Sequence, residues 1–175
     1  TFLSASLSNG GRTFLSARFM QEVEQRVMGF VLKSSKQIDK MRIAGGHVAE
    51  ILLILRDAVK PGVTTGELDA IAEKELARRG GESCFKNYVI HPGVPPYPGV
   101  ICTSVNDEIV HGIPGKRVLK EGDIVALDFG ARFDGWVGDS GITVPVGQIS
   151  SQAQHLMDVT QRALAVGIEQ ARPGN

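Results

Sequence analysis

The 175-residue sequence lacks long hydrophobic runs and is poor in cysteine. A membrane-spanning helix needs about 20 consecutive apolar residues, and since no such run occurs we predict no membrane partner. The two cysteines, Cys84 and Cys102, have neither the CxxC spacing of a zinc or redox motif nor the density of a disulfide framework. We therefore expect free thiols in a reducing compartment, with the cytoplasm as the default location.

The sequence also lacks an excess of charge of either sign. It contains 19 basic and 19 acidic residues, so its formal net charge is zero. This balance argues against a basic nucleic-acid-binding chain, and no nucleic-acid partner is predicted. Familiar catalytic motifs are missing as well, because no GxSxG elbow, P-loop, HExxH helix or Rossmann fingerprint occurs.

Glycine and proline are abundant instead, with 21 Gly and 8 Pro, and they punctuate short predicted elements. Three sequences of the capping-box type predict the starts of three helices. These are Ser34/Gln37 before a helix over 35–59, Thr64/Glu67 before a helix that ends at Gly80-Gly81, and Ser151/Gln154 before a helix that carries Leu156, Val159, Ala163 and Val166.

Strands and turns are predicted between the second and third helices. We expect strands over residues 83–90 and 100–104, separated by a proline-rich loop. Asp134-Gly135 is a strong hairpin signal and predicts that strands over 124–133 and 136–144 pair with each other. The predicted fold class is therefore α+β, with helices packed on an antiparallel sheet.

The predicted hairpin brings two carboxylates together. With a two-residue turn, Asp139 lies opposite Gly130, and Asp128 points to the same face because it is two residues from Gly130. The α-carbons of the two aspartates are then diagonal neighbours, roughly 7–8 Å apart. Such carboxylates repel unless a proton or cation intervenes, and a divalent metal ion accepts oxygen ligands of this kind. The alternative is a structural role for each aspartate at an exposed strand edge.

A histidine near the middle of this region has two open interpretations. His111 stands in the segment VHGIP, where Gly112 permits a close backbone approach and Pro114 fixes the exit of the chain. By itself such a histidine is more often a hydrogen-bonded structural residue. Beside a metal ion it would instead hold a substrate carbonyl or amide.

Five segments, in order, carry a resemblance to a known family. They are KQIDKMRIA at 36–44, VKPGVTTGEL at 59–68, ICTSVNDEIVHGIP at 101–114, EGDIVALD at 121–128 and DGWVGD at 134–139. Over residues 28–175 the sequence resembles the N-terminal half of type I methionine aminopeptidase. The resemblance implies the N-terminal half of a pita-bread (creatinase/aminopeptidase) fold. It also implies metal-dependent hydrolysis that removes the initiator methionine from nascent proteins.

The same resemblance implies roles for individual residues. Asp128 and Asp139 would be ligands of two divalent metal ions, with cobalt, manganese, iron and zinc as candidates. His111 would contact the substrate. Tyr97 and Cys102 would lie near the pocket that receives the methionine side chain.

The family's general-base glutamate and remaining metal ligands have no match before Asn175. We therefore expect no catalytic residue within this chain and little or no activity from the chain alone. One alternative is a catalytically inactive pita-bread module that binds a peptide or protein, and another is a relative that cleaves proline-containing peptides or creatine. The expected partners are nascent polypeptide N-termini, the ribosome, and a second copy joined through the exposed face of the half-fold.

Residues 1–27 differ from the rest of the sequence. TFLSASL at 1–7 returns as TFLSARF at 13–19, and the first 20 residues contain arginine but no acidic residue. We interpret this region as a leader or disordered extension. If it is instead a transit segment, the location would be an organelle.

Overall fold

The structure is a computed structural model that describes residues 31–89 and 91–175. The chain divides into two compact units, Thr1–Ile38 and Asp39–Asn175. The predicted leader at residues 1–27 lies outside the described residues. None of the helices among the described residues combines the length and the hydrophobicity that a membrane span requires.

In the described residues, two helices precede the strands of an antiparallel sheet along the chain, and one helix follows them. In chain order the elements are α1 (Ser35–Ala58), α2 (Thr65–Arg78), β1 (Glu82–Ser83), β2 (Cys102–Val105), β3 (Ile124–Phe133), β4 (Trp136–Pro145) and α3 (Ser151–Gln170). Strand β3 is the centre of the sheet because β1, β2 and β4 all pair with it, each in the antiparallel sense. The α+β prediction is confirmed.

Helices α1 and α2 both start at the predicted capping boxes. The Ser34 N–H donates to Gln37 Oε1 over 2.8 Å, and the Gln37 N–H donates to Ser34 Oγ over 3.4 Å. Thr64 and Glu67 make the same exchange at the start of α2, over 2.7 and 3.1 Å. Each exchange satisfies backbone donors that have no partner within the first helical turn.

The β3–β4 hairpin has the predicted turn and register. The two strands pair residue by residue up to Phe133↔Trp136, which flank the turn. Asp134 and Gly135 both have positive φ, 47° and 79°. This is the backbone of a type I′ turn, whose twist matches that of the strands it joins.

One hydrophobic cluster joins the buried face of β3 to helices α1 and α2. Alternate residues of β3 are buried, and α1 and α2 contribute residues at helical spacing. The largest side chains of this cluster include Ile51, Leu52, Leu55, Leu68, Leu127 and Phe129. Burial of each such side chain stabilises the fold by about 1.5–3 kcal/mol. The opposite face of β3 is therefore free to carry polar groups on a rigid support.

The strand predicted over residues 83–90 is wrong. Only its start pairs with β3, within Glu82–Ser83. The chain then turns because the serine hydroxyl accepts the N–H groups of Phe85 and Lys86, over 3.1 and 3.0 Å. Asn87 follows with a φ of 68°, a left-handed conformation that a strand does not use. Local side-chain bonds to the backbone override the strand pattern here.

Helix α3 differs from its prediction at the cap, and its apolar stripe is exposed. Its N-cap is Ser150, whose hydroxyl accepts the Ala153 N–H over 3.1 Å, in place of the predicted Ser151/Gln154 box. None of its residues is buried. The apolar residues at helical spacing are exposed, namely Leu156, Val159, Ala163 and Val166. Their spacing predicts a helix but carries no information on what covers the apolar stripe.

Strand β4 passes close to α1 at Gly138. A methyl group there would lie 2.7 Å from the Ala44 carbonyl oxygen, a backbone atom. We therefore expect Gly138→Ala to lower the free energy of unfolding by about 1–3 kcal/mol. Gly46→Ala is the matched control, because its methyl group meets no described atom within 4 Å and should stabilise α1 by about 0.5–1 kcal/mol. Urea denaturation measures the free energy of unfolding of both variants. Equal values for Gly138→Ala and Gly46→Ala would contradict the close approach of β4 to α1.

The cap of α2 makes stability depend on pH through Glu67. Hydrogen bonds from the Thr64 backbone and hydroxyl hold the pKa of Glu67 below its usual value of 4.5. Such a carboxyl stabilises the fold above its unfolded-state pKa, and the stabilisation is lost as the pH falls through the lowered folded-state pKa. We expect Glu67→Gln to be less stable than the parent at pH 7, and the difference to shrink as the pH falls and to close once it is below the lowered folded-state pKa. Denaturation curves across this pH range would contradict the argument if the difference stayed constant.

Candidate metal and substrate site

The hairpin places Asp128 and Asp139 on one face of the sheet. Asp139 lies opposite Gly130, as the two-residue turn predicts, and Asp128 lies opposite Gly141. Gly130 leaves the space that the carboxylate uses, since a Cβ there would lie 3.1 Å from Asp139 Oδ2 and 2.8 Å from the Phe85 ring. The absent side chain at Gly130 thus allows a carboxylate and an aromatic ring to approach the strand together.

The two carboxylates differ in exposure, and Asp139 affects the pKa of Asp128. Asp128 is half-buried, whereas Asp139 is exposed. Burial raises the pKa of Asp128, the negative charge of Asp139 raises it further, and His111 acts in the opposite direction. Because both upward effects disfavour a second negative charge, a cation between the carboxylates would relieve them. The pair is an anionic site that favours a positively charged ligand.

A cavity of about 860 Å³ opens beside the two carboxylates. Its volume is in the range of small-molecule sites. All five residues that the sequence singled out line it, namely Tyr97, Cys102, His111, Asp128 and Asp139. Apolar side chains such as Phe85, Val94 and Ile113 form much of the remaining wall. The structure therefore joins the anionic pair to an apolar pocket.

Tyr97 and Cys102 give this pocket an uncharged wall. Burial raises the pKa of the Tyr97 phenol and of the Cys102 thiol, so both keep their protons at neutral pH. The phenol oxygen lies 3.0 Å from the carbonyl oxygens of both Ile101 and Gly112, which share its single proton. Cys102 begins β2 directly opposite Asp128. Such a wall suits an apolar side chain and places it next to the carboxylates.

His111 is fixed at the cavity by its neighbour Gly112. The Thr103 N–H donates to the Gly112 carbonyl over 2.8 Å, and a Cβ on Gly112 would lie 2.3 Å from the Thr103 oxygen. The predicted close backbone approach is thus confirmed. His111 itself has a φ of 59°, which is uncommon for a non-glycine residue. Strained backbone of this kind clusters at functional sites.

Phe85 and Tyr88 also line the cavity, although the sequence pattern did not predict it. The Phe85 and Tyr97 rings meet edge to face, with centroids 6.5 Å apart. The Tyr97 N–H donates to the Tyr88 carbonyl over 2.9 Å. A strand over 83–90 would put Phe85 and Tyr88 on opposite faces, so the wrong strand prediction concealed them. The feature of the sequence that could have identified them is the presence of two aromatic residues within the turn that follows Ser83.

The donor set fits part of a divalent-metal centre. Carboxylate oxygens bind hard and borderline divalent cations. Across the residues that the structure describes, no group of three or more His, Cys, Asp and Glu side chains is placed to hold a metal ion. Two carboxylates are fewer than the four ligands of a closed structural site. Asp128 and Asp139 therefore match such an ion without completing its coordination.

Comparison with known proteins agrees with this geometry. The model of metallopeptidase family M24 matches residues 39–175. A methionine aminopeptidase from Aquifex aeolicus (strain VF5) is 47% identical over 148 residues, which are 84% of this chain and 57% of the relative. Methionine aminopeptidase 1 from Bacillus subtilis (strain 168) is 44% identical over 144 residues, which are 82% and 56% of the two chains.

A solved structure shares the fold. The crystal structure of methionine aminopeptidase from Rickettsia prowazekii matches with a TM-score of 0.77 and 37% identity, over 82% of this chain and 56% of that chain. The expected half of a pita-bread fold is thereby confirmed. This chain spans just over half the length of the relatives it matches. Since the family model covers most of the sequence, the chain belongs to metallopeptidase family M24.

Proposed function

We propose that this chain forms the N-terminal half of a methionine aminopeptidase, a metal-dependent hydrolase that removes the initiator methionine from nascent proteins. The observation that carries the proposal is the Asp128–Asp139 pair beside an apolar cavity. Cleavage after an N-terminal methionine needs both features, a place for an apolar side chain and an anionic centre next to it. The names of the similar proteins support the choice of methionine as the side chain.

Asp128 and Asp139 would hold two divalent metal ions, with manganese, cobalt, iron and zinc as candidates. When bound, such ions lower the pKa of a water molecule and polarise a scissile carbonyl. Asp128 is held rigidly because its strand neighbours Leu127 and Phe129 are fully buried on the opposite face. Asp139 is exposed and accessible from the cavity.

Three further residues would bind the substrate. The His111 imidazole can donate a hydrogen bond to a substrate carbonyl or amide. The Tyr97 phenol already donates to backbone carbonyls, so it offers its ring to the substrate side chain. The uncharged, polarisable thiol of Cys102 suits contact with a thioether.

The general-base glutamate and the other metal ligands would lie outside this chain. Two carboxylates cannot close a metal site, and this chain spans 57% of the Aquifex aeolicus relative. We assign residues 28–175 to the N-terminal half of the catalytic domain and residues 1–27 to a leader or disordered extension. The proposed partners are nascent polypeptide N-termini, the ribosome, and a second copy of the half-fold, and the proposed location is the cytoplasm.

A second candidate function is a binding module that holds a peptide N-terminus without cleaving it. The incomplete donor set within the described residues favours this alternative. It shares the cavity and the metal with the enzyme and differs only in turnover. Measurements of binding and of turnover therefore have to be made separately.

Metal binding tests the role of the carboxylate pair. We expect this chain to bind Mn²⁺, and Asp128→Asn or Asp139→Asn to weaken binding about tenfold or more, since even outer-shell partners of a metal contribute about 10-fold to 100-fold. Asp134→Asn is the matched control, because this carboxylate of the same hairpin is exposed and pairs with Lys40. Isothermal titration calorimetry measures all four proteins. Equal affinities would contradict the proposed ligands.

Methionine release from a Met-Ala-Ser peptide tests the reaction. With Mn²⁺ present, we expect the complete protein to release methionine and this chain alone to release little or none. Asp139→Asn should lower kcat/KM of the complete protein about a hundredfold or more, because the exchanged group would hold the metal. Peptide binding by the complete protein without release would favour the binding module. Release that is unaffected by Asp139→Asn would contradict the mechanism.

A further inference from the structure

Two chain segments adjoin the proposed substrate contacts Tyr97, Cys102 and His111 in the cavity wall. Residues 99–101 lead from Tyr97 into β2, and residues 112–115 follow His111. The segments touch, since a Cβ on Gly99 would lie 2.5 Å from Pro114 Cγ. The shape of this wall therefore depends on how the two segments are held relative to each other.

Asp69, on the second turn of α2, holds the first segment. Its Oδ1 accepts the N–H of Val100 over 2.7 Å and the N–H of Ile101 over 3.1 Å. Hydrogen bonds to a charged acceptor are roughly twice as strong as neutral ones. Because the carboxylate binds two consecutive N–H groups, it fixes the orientation of the segment as well as its position.

Thr65, at the start of α2, holds the second segment. Its side chain is buried, with the residue only 1% exposed. The hydroxyl accepts the Gly115 N–H over 2.9 Å and donates to the Gly115 carbonyl over 3.2 Å. The Gly66 N–H adds a bond to the same carbonyl over 2.8 Å. The N-terminal part of α2 thus holds both segments by hydrogen bonds.

The Tyr97 phenol ties the segments to each other, because one of its acceptors is Ile101 and the other is Gly112. We propose that Thr65 and Asp69, here called the α2 clamp, are positioning residues that set the separation of the two segments. Neither is among the described residues that line the cavity, so the clamp acts through the backbone it holds. The importance of the clamp for substrate binding rests on the proposed function. Its hydrogen-bond geometry is independent of that function.

Cys102 reports on the clamp because it is 5% exposed at the end of the first segment. In a Cys84→Ser background it is the single remaining thiol. We expect Asp69→Ala to raise the rate of Cys102 alkylation by iodoacetamide about tenfold or more, because the loss of charge-assisted bonds favours local opening. Thr65→Val should raise the rate in the same direction by a smaller factor.

Asp69→Asn keeps the shape of the side chain and one neutral acceptor, so it serves if the alanine variant fails to fold. It should give an intermediate rate and shift the Val100 amide proton in the NMR spectrum. Val48→Ala is the stability control, since it loosens the core of α1 without touching the clamp. Asp57→Ala removes an exposed carboxylate of α1 as a charge control. Neither control should change the rate by more than about twofold.

Two results would overturn the proposal that Thr65 and Asp69 position the two segments. One is an unchanged alkylation rate in folded Asp69→Asn or Asp69→Ala, and the other is an equal increase in Val48→Ala. Clamp variants should retain the Mn²⁺ affinity of the parent, because Asp128 and Asp139 stand on the hairpin. A parent chain that fails to bind Mn²⁺ would count against the proposed function and leave the alkylation result valid for the clamp.

Discussion

Backbone pairing between β3 and β4 is the constraint on which the candidate site depends. Asp128 and Asp139 belong to different strands, and only the register that pairs Gly130 with Asp139 brings their side chains to one face. A slip of one residue would turn Asp139 to the opposite face. The Asp134-Gly135 turn sets this register at one end. Burial of alternate β3 residues in the core keeps the strand from rotating.

Burial raises the pKa of groups on both sides of the site, namely Asp128 on the sheet and Tyr97 and Cys102 on the wall. On the sheet, the negative charge of Asp139 adds to the effect of burial on the pKa of Asp128. On the wall, burial keeps the Tyr97 phenol and the Cys102 thiol neutral. A ligand with a cationic or metal-coordinating end and an apolar end satisfies both halves of the cavity. Hydrogen bonds from Thr65 and Asp69 of α2 hold the loops that carry the wall residues. The helix therefore contributes to the site although neither residue lines the cavity.

The parts of this arrangement that depend on neighbouring residues could be predicted from the sequence. The caps at Ser34 and Thr64 act over three residues, and the hairpin register follows from its two-residue turn. The turn after Ser83 escaped prediction because a single hydroxyl overrode an acceptable strand pattern. Asp69 escaped it because its partners lie 31 and 32 residues away, a contact that only the fold creates.

Paramagnetic broadening by Mn²⁺ in an NMR spectrum of this chain tests the central claim most directly, because the ion marks its own position. If the hairpin register creates the metal site, substoichiometric Mn²⁺ should first broaden the amide signals around Asp128 and Asp139, while signals at the Asp134-Gly135 turn persist. The same titration of Asp139→Asn should lose this selectivity. Broadening centred elsewhere, such as on the acidic residues of α2, would contradict the account.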